Sequence, residues 1–187
     1  MSPRKKEINT LSYSILGFFL DKPYYGYELY KHLSQSVEFR EIWHIKQSLF
    51  YGYLDKFFQN GYLDQFKVEG DQYPSRKEYS LTDEGRQVVL SWMGKPVDHG
   101  REMRQEFLAK LFFSMKLDDK SGLLLIEDQR LECMSWLERI AAHELESQSV
   151  YHGLIIQYRI KQIEAMIDWL DYMAINGDNL ALISKQA

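Results

Sequence analysis

The sequence predicts a mainly α chain with a small β-hairpin wing, laid out as two successive domains within 187 residues. Apolar residues recur at helical spacing over most of its length. One stretch, 62–81, changes to the alternation of a hairpin. Turn formers gather between Gly94 and Gly100 (GKPVDHG), which marks a boundary and assigns 1–95 and 96–187 to separate domains.

The first helix is expected over Ile8 to Leu20, on Leu11, Ile15, Leu16, Phe18 and Phe19, and it stops at Asp21-Lys22-Pro23. Proline disfavours helical geometry in the residue before it, so the break is physical. A second helix runs from Gly26 through Tyr27, Leu29, Tyr30 and Leu33 to the polar Ser34-Gln35-Ser36. The third spans Ile45 to Asn60 and is ended by Gly61; Phe50, Leu54 and Phe57 follow i, i+4, i+7 and form its buried face. Gln47, Ser48, Tyr51, Gly52 and Asp55 fall on another side, with Lys46 at the edge. Glycine at 52 costs roughly 1 kcal/mol against alanine in a helix, so it marks either drift on a solvated face or close approach of another backbone.

Beyond Gly61 two strands follow, 62–68 and 76–81, around the turn-rich 69–74. Thr82 is a good N-cap for the next helix, whose first turn carries Asp83 and Glu84 at the positive dipole end. Val88, Val89 and Trp92 supply its apolar side, and it ends before Gly94-Lys95-Pro96. Helix, helix, helix, strand, strand, helix is the order of a winged helix-turn-helix, in which the third helix enters the major groove and the hairpin meets the flanking backbone.

The second half is all helix. Arg101 to Lys116 is amphipathic; Asp118 or Asp119 caps a helix running to about Glu146, whose apolar seam is broken by Arg130. The last helix spaces Ile156, Ile160, Ile163, Ile167 and Leu170 by four, three, four and three, a heptad-like seam. Two long helices with such stripes, joined near residue 150, expose apolar surface that a symmetric second copy would cover. The fold class is thus an N-terminal winged helix-turn-helix plus a C-terminal α-helical, coiled-coil-like dimerisation domain, with those five residues as its interface.

Composition narrows the function. Hydrophobic residues make up 45% and charged residues 27%, ordinary globular values that exclude a chain disordered throughout. No apolar run approaches the roughly 20 residues that cross a bilayer, and MSPRKKEIN lacks the core of a signal peptide, so a soluble cytoplasmic protein is expected. The single Cys133 excludes a disulfide framework. Lys+Arg number 13 against 12 Asp+Glu in 1–95, but 10 against 15 in 96–187, so the net charge of −4 is carried by the second half. A front half of even balance can still present a basic face.

Enzyme signatures are missing. His143-Glu144-Leu145-Glu146-Ser147 opens like H-E-x-x-H but ends on serine, no phosphate-cradling glycine loop occurs, and the five histidines lack ligand spacing. No enzyme activity, cofactor or metal is expected.

Several motifs resemble one family. Asp21 to Leu29 (DKPYYGYEL) looks like the G-Y-[DE]-[LI] opening of the second helix in PadR-type transcriptional regulators. Trp43 to Leu54 (WHIKQSLFYGYL) is similar to their W-x-x-[KS]-x-S-x-[IL]-Y-x-x-L recognition segment, and Lys77 to Arg86 (KEYSLTDEGR) to their wing-to-helix signature. Arg104 to Phe112 (RQEFLAKLF) resembles the start of the virulence-activator-alpha type of C-terminal domain found in the longer subfamily. Two positions depart: the family often has proline where Gly52 stands and a basic or neutral residue where Asp55 stands. An outward acid on a reading helix repels phosphate or accepts from a cytosine amine.

The resemblance implies a ligand-responsive repressor or activator, read here as a repressor, dimeric through its C-terminal helices. It also implies a small planar effector, such as a phenolic acid, bound between the domains; Phe18, Trp92, Phe107 and Tyr158 are candidates for that pocket, or are simply core. The expected partner is double-stranded operator DNA. Gln47 can bond adenine edges, Ser48 base or phosphate, Tyr51 phosphate, and Lys46 neutralises one. Lys67, Arg76 and Lys77 are wing contacts, or the ordinary charge protection of a hairpin edge. Tyr27 reaches phosphate or packs in the core, and Arg4, Lys5 and Lys6 form a minor-groove arm or a solubilising tail. A winged-helix module that binds protein instead of DNA is the alternative function.

Overall fold

The computed structural model describes residues 9–68, 76–144 and 149–176. The chain divides into two compact units, Met1–Trp92 and Met93–Ala187.

In the first unit α1 (Thr10–Gly17) opens on Asn9, whose side chain accepts from the Ser12 amide at 2.9 Å and donates to the Tyr53 hydroxyl at 2.8 Å. The expected helix through Leu20 tightens instead into a 3-10 turn at Phe18–Leu20. Two elements were not foreseen from the sequence. Tyr24–Tyr25 forms a two-residue strand, β1, and Val37–Ile42 forms a short helix, α3, after α2 (Gly26–Gln35). Ser36 closes α2 and caps α3, its Oγ accepting from the Phe39 amide at 3.2 Å, and Phe39 is buried. The helix expected from Ile45 is therefore α4; it begins at Gln47, with Lys46 as its N-cap, and ends at Gln59.

Gly61, at φ +74, turns the chain out of α4 into β2 (Leu63–Val68). That φ belongs to glycine. β3 (Arg76–Leu81) lies in the middle of a three-stranded antiparallel sheet of order β1-β3-β2, with Gln65 opposite Tyr79 and Lys67 opposite Lys77. Thr82 accepts from the Gly85 amide at 3.0 Å and donates to the Gly61 carbonyl at 2.7 Å, so one side chain starts α5 (Asp83–Met93) and fastens it to the end of α4. Phe50, Leu54 and Phe57 of α4 are buried, as the periodicity requires, with Ile15, Leu16, Leu29 and Val89.

In the second unit the expected helix over 101–116 begins as a 3-10 turn (Gly100–Glu102) and a π-helical turn (Met103–Phe107) before α6 (Leu108–Leu117). Asp118 accepts from the Ser121 amide at 2.7 Å and hydroxyl at 2.8 Å, capping α7 (Asp119–Glu144); these bonds hold its carboxyl below the usual range. Ser149 caps α8 (Val150–Ile175), which packs along α7. The α8 seam meets the chain's own core: Ile156, Ile163 and Leu170 are 4%, 6% and 0% exposed, and Ile160 and Ile167 are half-buried against the same cluster. Arg130, the charged break in the α7 stripe, pairs with Asp171 of α8.

The segment after α5 is held by two buried polar side chains. Gln129 accepts from the Val97 amide at 2.7 Å and donates to the Val97 carbonyl at 3.2 Å. Lys110 donates to the Lys95 carbonyl at 3.0 Å and pairs with Glu106 at 3.1 Å. Cys133 lies in the same core, and burial pushes its thiol up to about 11, so it stays protonated and unreactive at neutral pH.

Candidate nucleic-acid interface

α4 is two-sided. Phe50, Leu54 and Phe57 anchor it, while Lys46, Gln47, Ser48, Gly52 and Asp55 are exposed and Tyr51 half-buried. Ser48, Tyr51, Gly52 and Asp55 are spaced i, i+3, i+4, i+7 and form one row. Among the described residues a Cβ at Gly52 would meet no atom within 4 Å, so of the two explanations for that glycine, none of their backbone presses on it. The row is open.

A cavity of about 570 Å³ lies between the start of α2, the middle of α4 and β3, and it gathers Tyr27, Tyr51, Arg76 and Lys77. Tyr27 is 64% exposed, which removes the core-packing alternative. Gly26 sets the spacing, because a Cβ there would stand 3.1 Å from the Tyr51 ring. Tyr79 forms the inner wall; burial first, then the charge of Asp55, raises its phenol above the ordinary value and keeps it a donor. Glu28 and Asp55 border the same cavity.

On the wing, Lys67 and Lys77 face each other across the β2–β3 ladder. Like charges directly opposite one another are destabilising, and an anion set between them removes that cost. Arg76 sits opposite Val68 one step further along. Arg4, Lys5, Lys6 and the loop 69–74 lie outside the described residues, as does most of the His143–Ser147 segment.

Of the four aromatic candidates, Phe18 and Trp92 belong to the first unit and Phe107 and Tyr158 to the second. Phe18 packs edge-on to Phe39 at 5.4 Å between ring centroids, and Trp92 stacks on Tyr13 at 5.1 Å. Phe107 is buried edge-on to Trp169, while Tyr158 is exposed and accepts from Gln162 at 2.9 Å. Within the second unit a cavity of about 1060 Å³ has Trp136, Ile140, Ile156 and Ile163 on its floor and Arg101, Arg139, Arg159 and His152 among its polar lining. Glu132, also in that lining, accepts from the Trp136 indole at 2.7 Å and from Arg139 at 3.2 Å. The only advance signal was Trp136 and Arg139 one turn apart on α7 and His152 and Arg159 two turns apart on α8, a pattern with no meaning until the helices are paired. Among the described residues no cluster of His, Cys, Asp and Glu could hold a metal ion, and no helix is long and apolar enough to cross a membrane.

Residues 15–91 match the model of the transcriptional regulator PadR-like family, and residues 103–175 match the virulence activator alpha C-terminal domain. The negative transcriptional regulator PadR of Bacillus subtilis is 23% identical over 190 residues, which take in 95% of this chain and all of that protein. Among solved structures, Bacillus subtilis PadR in complex with operator DNA is 22% identical over 90% of this chain and 99% of that one, at a TM-score of 0.46. The same protein in complex with p-coumaric acid is 22% identical over 91% and 99%, at 0.41. A PadR-like regulator from Bacillus cereus is 20% identical over 92% and 98%, at 0.42. Two family matches, in order along the chain, account for both units: the chain belongs to the PadR-like family of transcriptional regulators, in the form that continues into a virulence-activator-alpha C-terminal domain.

Proposed function

We propose that the chain is a cytoplasmic, homodimeric repressor that binds double-stranded operator DNA, with α4 in the major groove and the β2–β3 wing on the backbone. The open row of α4 beside a cavity lined by four phenols, two cations and two carboxylates carries this reading. Gln47 and Ser48 lead the helix and carry groups that can bond base edges. Tyr27 and Tyr51 offer hydroxyl donors, and Lys46, Lys67, Arg76 and Lys77 positive charge, suited to phosphate oxygens. Repression is the sign of control named for the Bacillus subtilis relative. A small aromatic effector would be held in the second unit, where the cavity over Trp136 supplies an apolar floor and a basic rim.

Fluorescence anisotropy with the duplex upstream of the chain's own coding sequence tests the reading. Log affinity should fall linearly with log salt, and Lys46→Ala should lower that slope by about one phosphate contact. Equal binding at low and high salt would overturn it.

A further inference from the structure

The cavity between α2, α4 and β3 gathers the groups best suited to phosphate, yet its charge sums to zero: Arg76 and Lys77 are matched by Glu28 and Asp55. Asp55 is exposed and lies one turn beyond Tyr51 in the open row of α4, so a duplex docked there meets its carboxylate directly. Ionised, that group only accepts hydrogen bonds. Phosphate oxygens are acceptors too, so the two can only repel, and in a partly enclosed cavity the repulsion is less screened than on open surface.

From this juxtaposition we infer that Asp55 is a brake on duplex affinity that acts by penalising the sugar-phosphate backbone. The inference rests on the DNA-binding reading above. Backbone contacts carry no sequence information, so a penalty placed on them weakens binding to every duplex alike. What matters to a regulator is its preference for its site over the excess of other DNA, not its dissociation constant alone. A uniform penalty leaves that ratio intact while keeping the protein from lodging on arbitrary sequence. Tyr79, kept protonated beside Asp55, stays a donor and adds no second negative charge.

The experiment compares the full-length wild type with Asp55→Asn and Asp55→Lys, by anisotropy over a salt series, on the upstream duplex and on a scrambled duplex of equal length. Asparagine keeps the shape and removes one negative charge; lysine reverses it. Asp55→Asn should tighten binding to both duplexes by a similar factor, roughly tenfold at low salt, and steepen the log–log slope by about one. Asp55→Lys should steepen it by about two. Thermal melts that match the wild type show that each variant folds. Unchanged or weaker binding by Asp55→Asn overturns the brake. A loss confined to the upstream duplex and traced to one C·G pair also overturns it, and assigns Asp55 to base reading instead. Absence of salt-dependent binding by the wild type would remove the DNA reading itself, and the brake with it.

Discussion

Gly85 and Gly52 are both helical glycines, and their surroundings set them apart. A Cβ at Gly85 would sit 2.2 Å from the Tyr62 carbonyl oxygen, a backbone atom held in place by the Thr82 amide that bonds to it at 3.1 Å. Nothing there can yield cheaply. Gly85→Ala should therefore destabilise the first unit by about 3 kcal/mol, in the range of strongly disruptive substitutions, and lower its urea midpoint. Gly52 has only open space around its missing Cβ. Gly52→Ala should raise stability by about 1 kcal/mol, the helix-propensity difference alone. A melt in which both variants lose stability would contradict the placement of the α4 row. Tyr27 shows the same contrast between side chain and surroundings, since its sequence position allowed core or surface and only the fold decides for surface.

At the scale of elements, what could be read in advance is what depends on neighbours in sequence. The buried and open sides of α4, the Thr82 cap and the β2–β3 hairpin all follow from local spacing and local chemistry. β1 could not be read, because two tyrosines become a strand only when β3, more than fifty residues on, pairs with them. α3 was hidden because its six residues are too few to show a period, and Ser36 serves both helices at the break. The α8 seam was legible as a stripe but not as to partner, and α7 of the same chain takes up Ile156, Ile163 and Leu170. The second-unit cavity was illegible for a related reason: its residues come from two helices and the Gly100 turn. The wing supplies the prediction at this scale. Lys67 and Lys77 oppose one another across the ladder, so Lys67→Ala should stabilise the hairpin by about 0.5 kcal/mol while weakening duplex binding and lowering the salt slope by about one. Stability and binding moving in opposite directions is the signature of a charge pair kept for an absent anion; both falling together would mean that Lys67 is structural.

At the scale of the whole molecule, the pairing of α8 with α7 bears on where a second copy would sit. With the inner seam closed, the apolar residues exposed on α8 among the described residues are Val150, Tyr151, Leu154, Ile155 and Tyr158 along its first half, and Tyr172 and Ile175 at its end. Scattered exposed apolar residues need no explanation, but five on one face of a single helix, at 150, 151, 154, 155 and 158, suit an interaction face. A dimer joined through this face would bring two copies of α4 to one operator as a linked pair, and binding would strengthen by roughly 100-fold or more over a single copy. Leu154 is exposed within its own chain, so Leu154→Glu should leave helix content intact while shifting sedimentation to a monomer, and operator affinity should fall by about that factor. Ile163 faces inward, so Ile163→Ala should cost about 3 kcal/mol of stability at any protein concentration. The two variants separate the alternatives: if Leu154→Glu remains dimeric with full affinity, copies do not join through that face, and if Ile163→Ala yields a stable folded monomer, the inner seam was the interface after all.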